Sequence, residues 1–196
     1  MVLNTGFETT AHTLVVSMYH LQIFGTEKNE LLLQNKKFIK ALIKESLRLF
    51  PPVLHMIRYA LNDTYLGDIL ISKGTKVYCD IIGTHYSKFL WGDHPEKFDL
   101  NRWITNESEI SSNTIRVQET NKKCWIPFGY GSKSCIGQAS AMMNVESVLL
   151  TFLEYFEVIG CKKLKTFEFT QNPSMRINFL ELNLKRKKEV NSNNEI

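Results

Sequence analysis

Trp125-Ile126-Pro127-Phe128-Gly129-Tyr130-Gly131-Ser132-Lys133-Ser134-Cys135-Ile136-Gly137 reads as a tight loop with one thiol, followed directly by a run of helical periodicity. Gly129, Gly131 and Gly137 carry no Cβ, so the backbone there can pass close to a large flat ligand. Cys135 stands just ahead of the predicted helix start, where orphan N–H groups and the helix dipole favour a thiolate. A thiolate left open on one side is a ligand for a soft or borderline metal.

Other chemistries keep Cys and Gly in similar company. A free Cys is most often a small buried hydrophobe, and a Gly-rich loop before a helix can cradle phosphate. The phosphate loop needs Gly-Lys-Ser/Thr at its end, whereas here Lys133 follows Ser132. A thiol-phosphatase loop needs an Arg where this chain has Ala141.

Phe128-x-x-Gly131-x-Lys133-x-Cys135-x-Gly137, continued by the small Ala141, resembles the haem-binding loop of the cytochromes P450. The resemblance implies that Cys135 is the proximal iron ligand of haem b (iron-protoporphyrin IX), with Phe128, Gly131 and Gly137 shaping the loop around it. Such a thiolate pushes electron density toward bound oxygen. Where the family usually has Arg, sometimes His, to pair with a haem propionate, this chain has Lys133. Lys keeps the charge and loses the bidentate fork, which implies weaker haem retention.

The rest of the chain limits the alternatives. Its 196 residues, 43% hydrophobic, can bury a core. A net charge of +4 without a basic, aromatic-interleaved patch argues against nucleic-acid binding. The four cysteines, at 79, 124, 135 and 161, form no C-x-x-C pair, so neither a zinc site nor a disulfide framework is indicated. No signal peptide or membrane span is read in this chain, since its most apolar runs, such as Val145–Leu153, are shorter than the roughly 20 residues a span needs. Full-length members of the family are more than twice as long. The expected fold is therefore mainly α with a small β-sheet, the C-terminal part of a P450 domain over residues 1–184. Residues 185–196 read as a basic, polar, disordered tail.

The first segment, from Val2 to about Phe24, carries apolar residues at 3, 7, 11, 14, 15, 18 and 21, a helical stripe interrupted by Gly6. Thr5-Gly6-Phe7-Glu8-Thr9-Thr10 resembles the oxygen-activating segment of the P450 distal helix. Glu8 and Thr9 would then position water and relay protons; by themselves they read as a frayed helix start with a Thr cap. The family has a further helix's worth of residues between Thr9 and Glu45 than is present here.

A second helix runs from about Lys36 to Phe50 and stops at Pro51-Pro52. Periodicity sets Glu45 and Arg48 off its apolar stripe, as a surface ion pair worth under about 1 kcal/mol. Lys44-Glu45-Ser46-Leu47-Arg48 also resembles the family's Glu-x-x-Arg motif, which implies a covered pair with a structural role. Arg102, in Asn101-Arg102-Trp103, would be its third member.

Between them, Thr64–Ser72 and Thr75–Ile82 read as strands of a hairpin turning at Lys73-Gly74. Arg58 reads equally as an exposed strand residue or, by resemblance, as a partner of a haem propionate. Val53–Met56 would face substrate. Residues 105–123 read as a mobile polar loop. A helix follows from about Gln138 to Phe156 with apolar positions at 142, 145, 149, 152, 153 and 156. Phe167–Phe169 and Arg176–Leu184 alternate as a terminal hairpin.

The resemblance implies a haem-thiolate monooxygenase that inserts one oxygen atom of O2 into a small hydrophobic organic substrate. Electrons would come from NADPH through a flavoprotein reductase, steered by Lys122, Lys123 and Lys133. An intact eukaryotic relative would sit at the endoplasmic reticulum membrane. Two alternatives stand beside this: a truncated, non-catalytic fragment, and a haem-binding protein without turnover.

Overall fold

The computed structural model describes residues 2–24, 33, 35–104, 123–169 and 175–187. It is mainly helical with three small antiparallel strand pairs, as the sequence leads one to expect. Helix α1 spans Val2–Phe24 and helix α2 spans Lys36–Leu49. Asn35 caps α2 by accepting a hydrogen bond from the Lys37 N–H at 3.0 Å. Phe50 ends the helix, its N–H bonded to the Ser46 carbonyl, and Pro51-Pro52 cannot continue it.

Helix α2 is buried almost all round from Ile39 onward, so it is the axis of the molecule rather than an amphipathic surface helix. Leu42, Ile43 and Leu47 meet Leu21 of α1 and Leu100. The last long helix, α5 (Gln138–Tyr155), adds Val145, Leu149 and Leu153, four residues apart on one face. Two short helices, α3 (Ile81–His85) and α4 (Lys88–Trp91), lie between the first strands and the loop segment that follows.

The face that α1 buries differs in part from its apolar stripe. His12, Thr13, Val16, Ser17, His20 and Leu21 are buried, while Phe7 is 75% exposed. The polar members find partners locally, on α2 or on its capping residue Phe50, except His12 Nδ1, which is buried without a hydrogen bond. Thr13 and Ser17 donate to carbonyls one turn back, each at 2.8 Å. The imidazole of His20 meets Ser46 Oγ at 2.8 Å, and His12 Nε2 lies 3.1 Å from the Phe50 carbonyl oxygen. Leu14, Met18 and Leu21 of the stripe pack on the core, and His12 and His20 add hydrogen bonds to Phe50 and Ser46 that hydrophobic periodicity does not register. The segment between the two helices lies, apart from residues 33 and 35, outside the described residues.

The strand pairing also differs from the expected hairpin. Strand β1 (His55–Tyr59) pairs with β4 (Lys76–Asp80), His55 opposite Asp80 and Tyr59 opposite Lys76. The run expected to pair with β4 instead folds on itself as β2 (Thr64–Leu66) and β3 (Ile69–Ile71). Gly67, at φ +60°, permits the two-residue turn with Asp68 between them. Lys73-Gly74 is a turn, but it leads back to β1: Gly74 N–H bonds the Ala60 carbonyl and Ala60 N–H bonds that of Thr75.

Strands β5 (Phe156–Phe169) and β6 (Met175–Arg186) form a terminal hairpin longer than its alternating pattern suggests. Lys185 and Arg186 belong to β6 and not to a disordered tail. The expected mobile loop at 105–122 and the end of the tail at 188–196 lie outside the described residues. Among the described residues no helix is long and apolar enough to cross a membrane.

Candidate functional site

Glu45 is fully buried at 0% exposure and receives four hydrogen bonds. Arg48, also at 0%, closes a two-pronged pair with it, Nη2 to Oε1 at 2.7 Å and Nε to Oε2 at 2.9 Å. The backbone N–H of Asp99 donates to Oε1 at 3.1 Å, and the indole N–H of Trp103 donates to Oε2 at 2.8 Å. The remaining Arg48 donors reach the carbonyls of His85, Pro95 and Lys97. Arg102 adds a second positive charge, its Nε 3.4 Å from Glu45 Oε1. That contact is Coulombic only, because Nε makes no hydrogen bond while the two Nη atoms hold the Trp91 and His94 carbonyls.

So the pair that periodicity placed at the surface is fully enclosed in the core. A helix buried on every side gives periodicity no outer face to assign. Removing two charges from water is tolerable here because almost every donor and acceptor finds a partner. Its product is a fixed platform, for Arg48 pins the segment 85–97 and Trp103 leads into the aromatic row Trp103, Trp125, Phe128 at 5.8 and 5.9 Å between centroids.

The thiol loop stands on that platform. The Trp125 indole donates to the Lys44 carbonyl of α2 at 3.0 Å, and the Ile126 N–H donates to His85 Nε2 at 3.0 Å. The loop then doubles back: Gly129 N–H bonds the Ile126 carbonyl and Cys135 N–H bonds the Phe128 carbonyl at 2.8 Å. Gly129 and Gly131 both adopt φ +75°, where side chains with a Cβ are strained. A Cβ on Gly129 would lie 3.0 Å from Met56 Sδ, so β1 packs directly against the loop. Arg58 is exposed, two residues along β1 from Met56 and hence on the same face of the strand.

Helix α5 starts at Gln138 with Gly137 as its cap, and Cys135 Sγ is 3.8 Å from where a Gly137 Cβ would be. Cys135 and Lys133 are exposed, Phe128 is half-buried, and Ile136 is 99% exposed. Glu8 is exposed and Thr9 half-buried. Between α1 and α5 opens a cleft of about 340 Å³, lined by Gly6, Phe7, Thr10, Ala11 and Leu14 facing Asn144, Val145 and Val148. Glu8 and Thr9 are not among its walls; Thr10 is.

The donor set suits an iron that arrives inside a macrocycle. Among the described residues no three His, Cys, Asp or Glu side chains gather as a metal site. A single outward thiol can supply one axial bond if the cofactor brings its own equatorial ligands. Its loop has open space at Gly131 and the exposed apolar side chains of Tyr130 and Ile136. These features fit a flat, largely apolar group. Lys133 and Arg58 lie on the loop and on the strand beside it, where anionic edges of such a group could be met. Lys123 is exposed, and Lys122 lies outside the described residues.

Sequence alone did not find His85, Asp99 or the two indoles that fasten this assembly. Trp103 had a signal, as the aromatic directly after Arg102. His85 had none, because its role depends on two backbone groups far away along the chain.

Comparison with known proteins is consistent along most of the chain. The family model described as Cytochrome P450 matches residues 25–183, which includes the Glu45 cluster and the Cys135 loop and begins after α1. The chain is 29% identical over 172 residues to the cytochrome P450 cyp-13B1 of Caenorhabditis elegans, covering 79% of this chain and 32% of that protein. It is 36% identical over 126 residues to Cytochrome P450 714C2 of Oryza sativa subsp. japonica, covering 64% and 23%. The chain thus spans a third or less of the length of these curated relatives. A crystal structure of a cytochrome P450 (CYP102L1) superposes with a TM-score of 0.75 at 20% identity, over 94% of this chain and 44% of that one. At that identity the likeness concerns the fold.

Proposed function

The chain belongs to the cytochrome P450 family, and from that premise we propose that it is the haem-thiolate part of a monooxygenase. Cys135 would hold the haem iron, Phe128, Gly131 and Gly137 would form the loop that seats the porphyrin, and Lys133 and Arg58 would meet its propionates. When bound, haem b supplies the iron centre at which O2 is activated for insertion of one oxygen atom into a small hydrophobic substrate. The chain's own residues hold and orient. Cys135 would supply thiolate charge to the iron, and the loop is kept in place by His85, which Arg48 holds, and by the bond from Trp125 to the Lys44 carbonyl of α2. Glu8 and Thr9 hold water and pass protons on the α1 side. NADPH is the electron donor through a flavoprotein reductase, with Lys123 and Lys133 offering a basic surface to it.

One observation carries the proposal: an exposed thiol at the end of a doubled-back glycine loop, directly before α5, the helix that forms a cleft with α1. Its test is reconstitution of the purified chain with haemin, followed by reduction and CO. A red-shifted, thiolate-type Soret band that disappears in Cys135→Ala supports ligation. No band with added haemin sinks it.

A second possibility, haem binding without turnover, is favoured by the exposure of Tyr130 (78%) and Ile136 beside the loop. Apolar surface of this kind is ordinarily covered in a finished pocket. NADPH-dependent product formation with an added reductase separates the two.

A further inference from the structure

His85, the last residue of α3, is fully buried and uses both ring nitrogens on main-chain partners. Nδ1 lies 3.0 Å from the Arg48 carbonyl oxygen, which can only accept. Nε2 takes the Ile126 N–H at 3.0 Å, which can only donate. Together they dictate a neutral ring with its proton on Nδ1. Burial lowers the ring's pKa to about 4 and keeps it in that state. Arg48 answers with Nη1 on the His85 carbonyl at 2.9 Å, so helix α2 and His85 hold each other reciprocally. The peptide unit on the other side of Ile126 is fixed as well, its carbonyl receiving the Gly129 N–H.

We infer that His85 is a positioning residue that sets the Cys135 loop on the Glu45–Arg48 core by holding the Ile126 amide. The consequence for the ligand rests on the haem-thiolate function proposed above; the holding of the loop does not. Trp125 fastens the same loop to α2 one residue earlier, but through a side chain whose rotation leaves the backbone free. His85 grips the backbone itself. Among the described residues its bond to Ile126 links the loop's main chain to the residues that Arg48 organises.

Two substitutions in the full chain split the ring into its halves. His85→Gln places an acceptor near the position of Nε2 and so keeps the bond from Ile126 N–H. His85→Asn places an amide near Nδ1, keeps the bond to the Arg48 carbonyl, and leaves Ile126 N–H without its acceptor. Peptide-resolved amide hydrogen exchange then compares the segment around Ile126 with the α2 core segment around Leu42–Leu47, in the same sample. The expected result is at least tenfold faster exchange around Ile126 relative to α2 in His85→Asn, with His85→Gln near the unaltered chain. Alkylation of Cys135 by iodoacetamide should accelerate in step. Equal ratios in the two variants, or equal acceleration of both segments as in general loosening, would overturn the inference. After haemin reconstitution, His85→Asn should lose thiolate-type absorption that His85→Gln retains. If the unaltered chain gives no haem band, the ligand assignment fails, and the exchange ratio still decides the role of His85.

Discussion

Arg48 and Glu45 are joined by two short hydrogen bonds, 2.7 and 2.9 Å, in a place from which water is excluded for both side chains. Deleting one partner strands the other charge in the core. Glu45→Ala should therefore destabilise the chain by about 3–5 kcal/mol, the range seen when a buried pair is broken from one side. Arg48→Lys should not restore stability, since an ammonium cannot span Glu45 and three carbonyls at once. Urea denaturation of the purified chain measures both. A loss below about 1 kcal/mol for Glu45→Ala, the scale of a surface pair, would mean the cluster does not bear on folding.

Trp103 offers a finer probe of the same carboxylate. Its indole N–H reaches Glu45 Oε2 at 2.8 Å, while its ring packs between Trp91 and Trp125. Trp103→Phe keeps most of the ring contact and deletes the donor, leaving Oε2 with Arg48 alone. The expected cost is about 1–3 kcal/mol, the penalty for losing a hydrogen bond to a buried charged group. In a double-mutant cycle with Glu45→Gln that cost should shrink, because a neutral amide needs the donor less. An unchanged cost in both backgrounds would assign the effect to packing.

How far these features were legible follows from what periodicity and motifs encode. The Cys135 loop and the ends of α2 and α5 were readable, because glycines, prolines and apolar spacing act locally. The burial of Glu45 was readable only through its resemblance to a family motif; its spacing suggested the opposite. The docking face of α1 was only partly legible: Leu14, Met18 and Leu21 of the stripe pack on the core, while His12, Thr13, Ser17 and His20 are buried polar groups that an apolar pattern does not mark. The partner of β4 was misread because local turn chemistry cannot tell a neighbour in sequence from β1, which lies one hairpin further back. His85 was invisible for the same reason: both of its bonds close long loops.

Gly129 and Gly131 share a φ of +75° but differ in surroundings. Gly131→Ala meets no atom within 4 Å and should cost only the backbone strain, about 1–2 kcal/mol. Gly129→Ala adds a 3.0 Å approach to Met56 Sδ and should cost more. Met56→Ala in the Gly129→Ala background should bring the glycine's cost down to the Gly131 level. Thermal unfolding of these three variants and of Met56→Ala alone is sufficient, and equal costs at both glycines with Met56 present would refute the contact.

Lys133 occupies an exposed turn two residues before the thiol. Under the haem-thiolate proposal, Lys133→Arg restores a planar fork that can hold a propionate with two hydrogen bonds. Haem loss to an excess of apomyoglobin should slow several-fold, and Lys133→Ala should speed it. Identical rates in Lys133→Arg and Lys133→Ala would remove Lys133 from the cofactor site.

Acid should unfold the chain earlier than its carboxylates require. His20 is buried against Ser46 and stacked on Phe98 at 4.4 Å, and burial, followed by the charge of Arg48, lowers its pKa to about 3. His85 is held to about 4, and burial lowers His12 as well. Each folded value lies below the ordinary 6.5, so below that pH the unfolded chain takes up protons that the folded chain refuses. Stability from these neutral rings is complete above about pH 6.5 and declines as pH falls toward 4. The slope is about 1.4 kcal/mol per pH unit for each fully shifted histidine. Carboxylates with ordinary values near 4 remain ionised in both states above about pH 5, which leaves pH 5–6.5 as a window for the histidines. The urea midpoint should fall steadily across that window. His20→Leu loses the Ser46 contact but should flatten the decline by one histidine's share. A midpoint that stays constant from pH 7 to 5 would show that these rings are not held neutral by the fold.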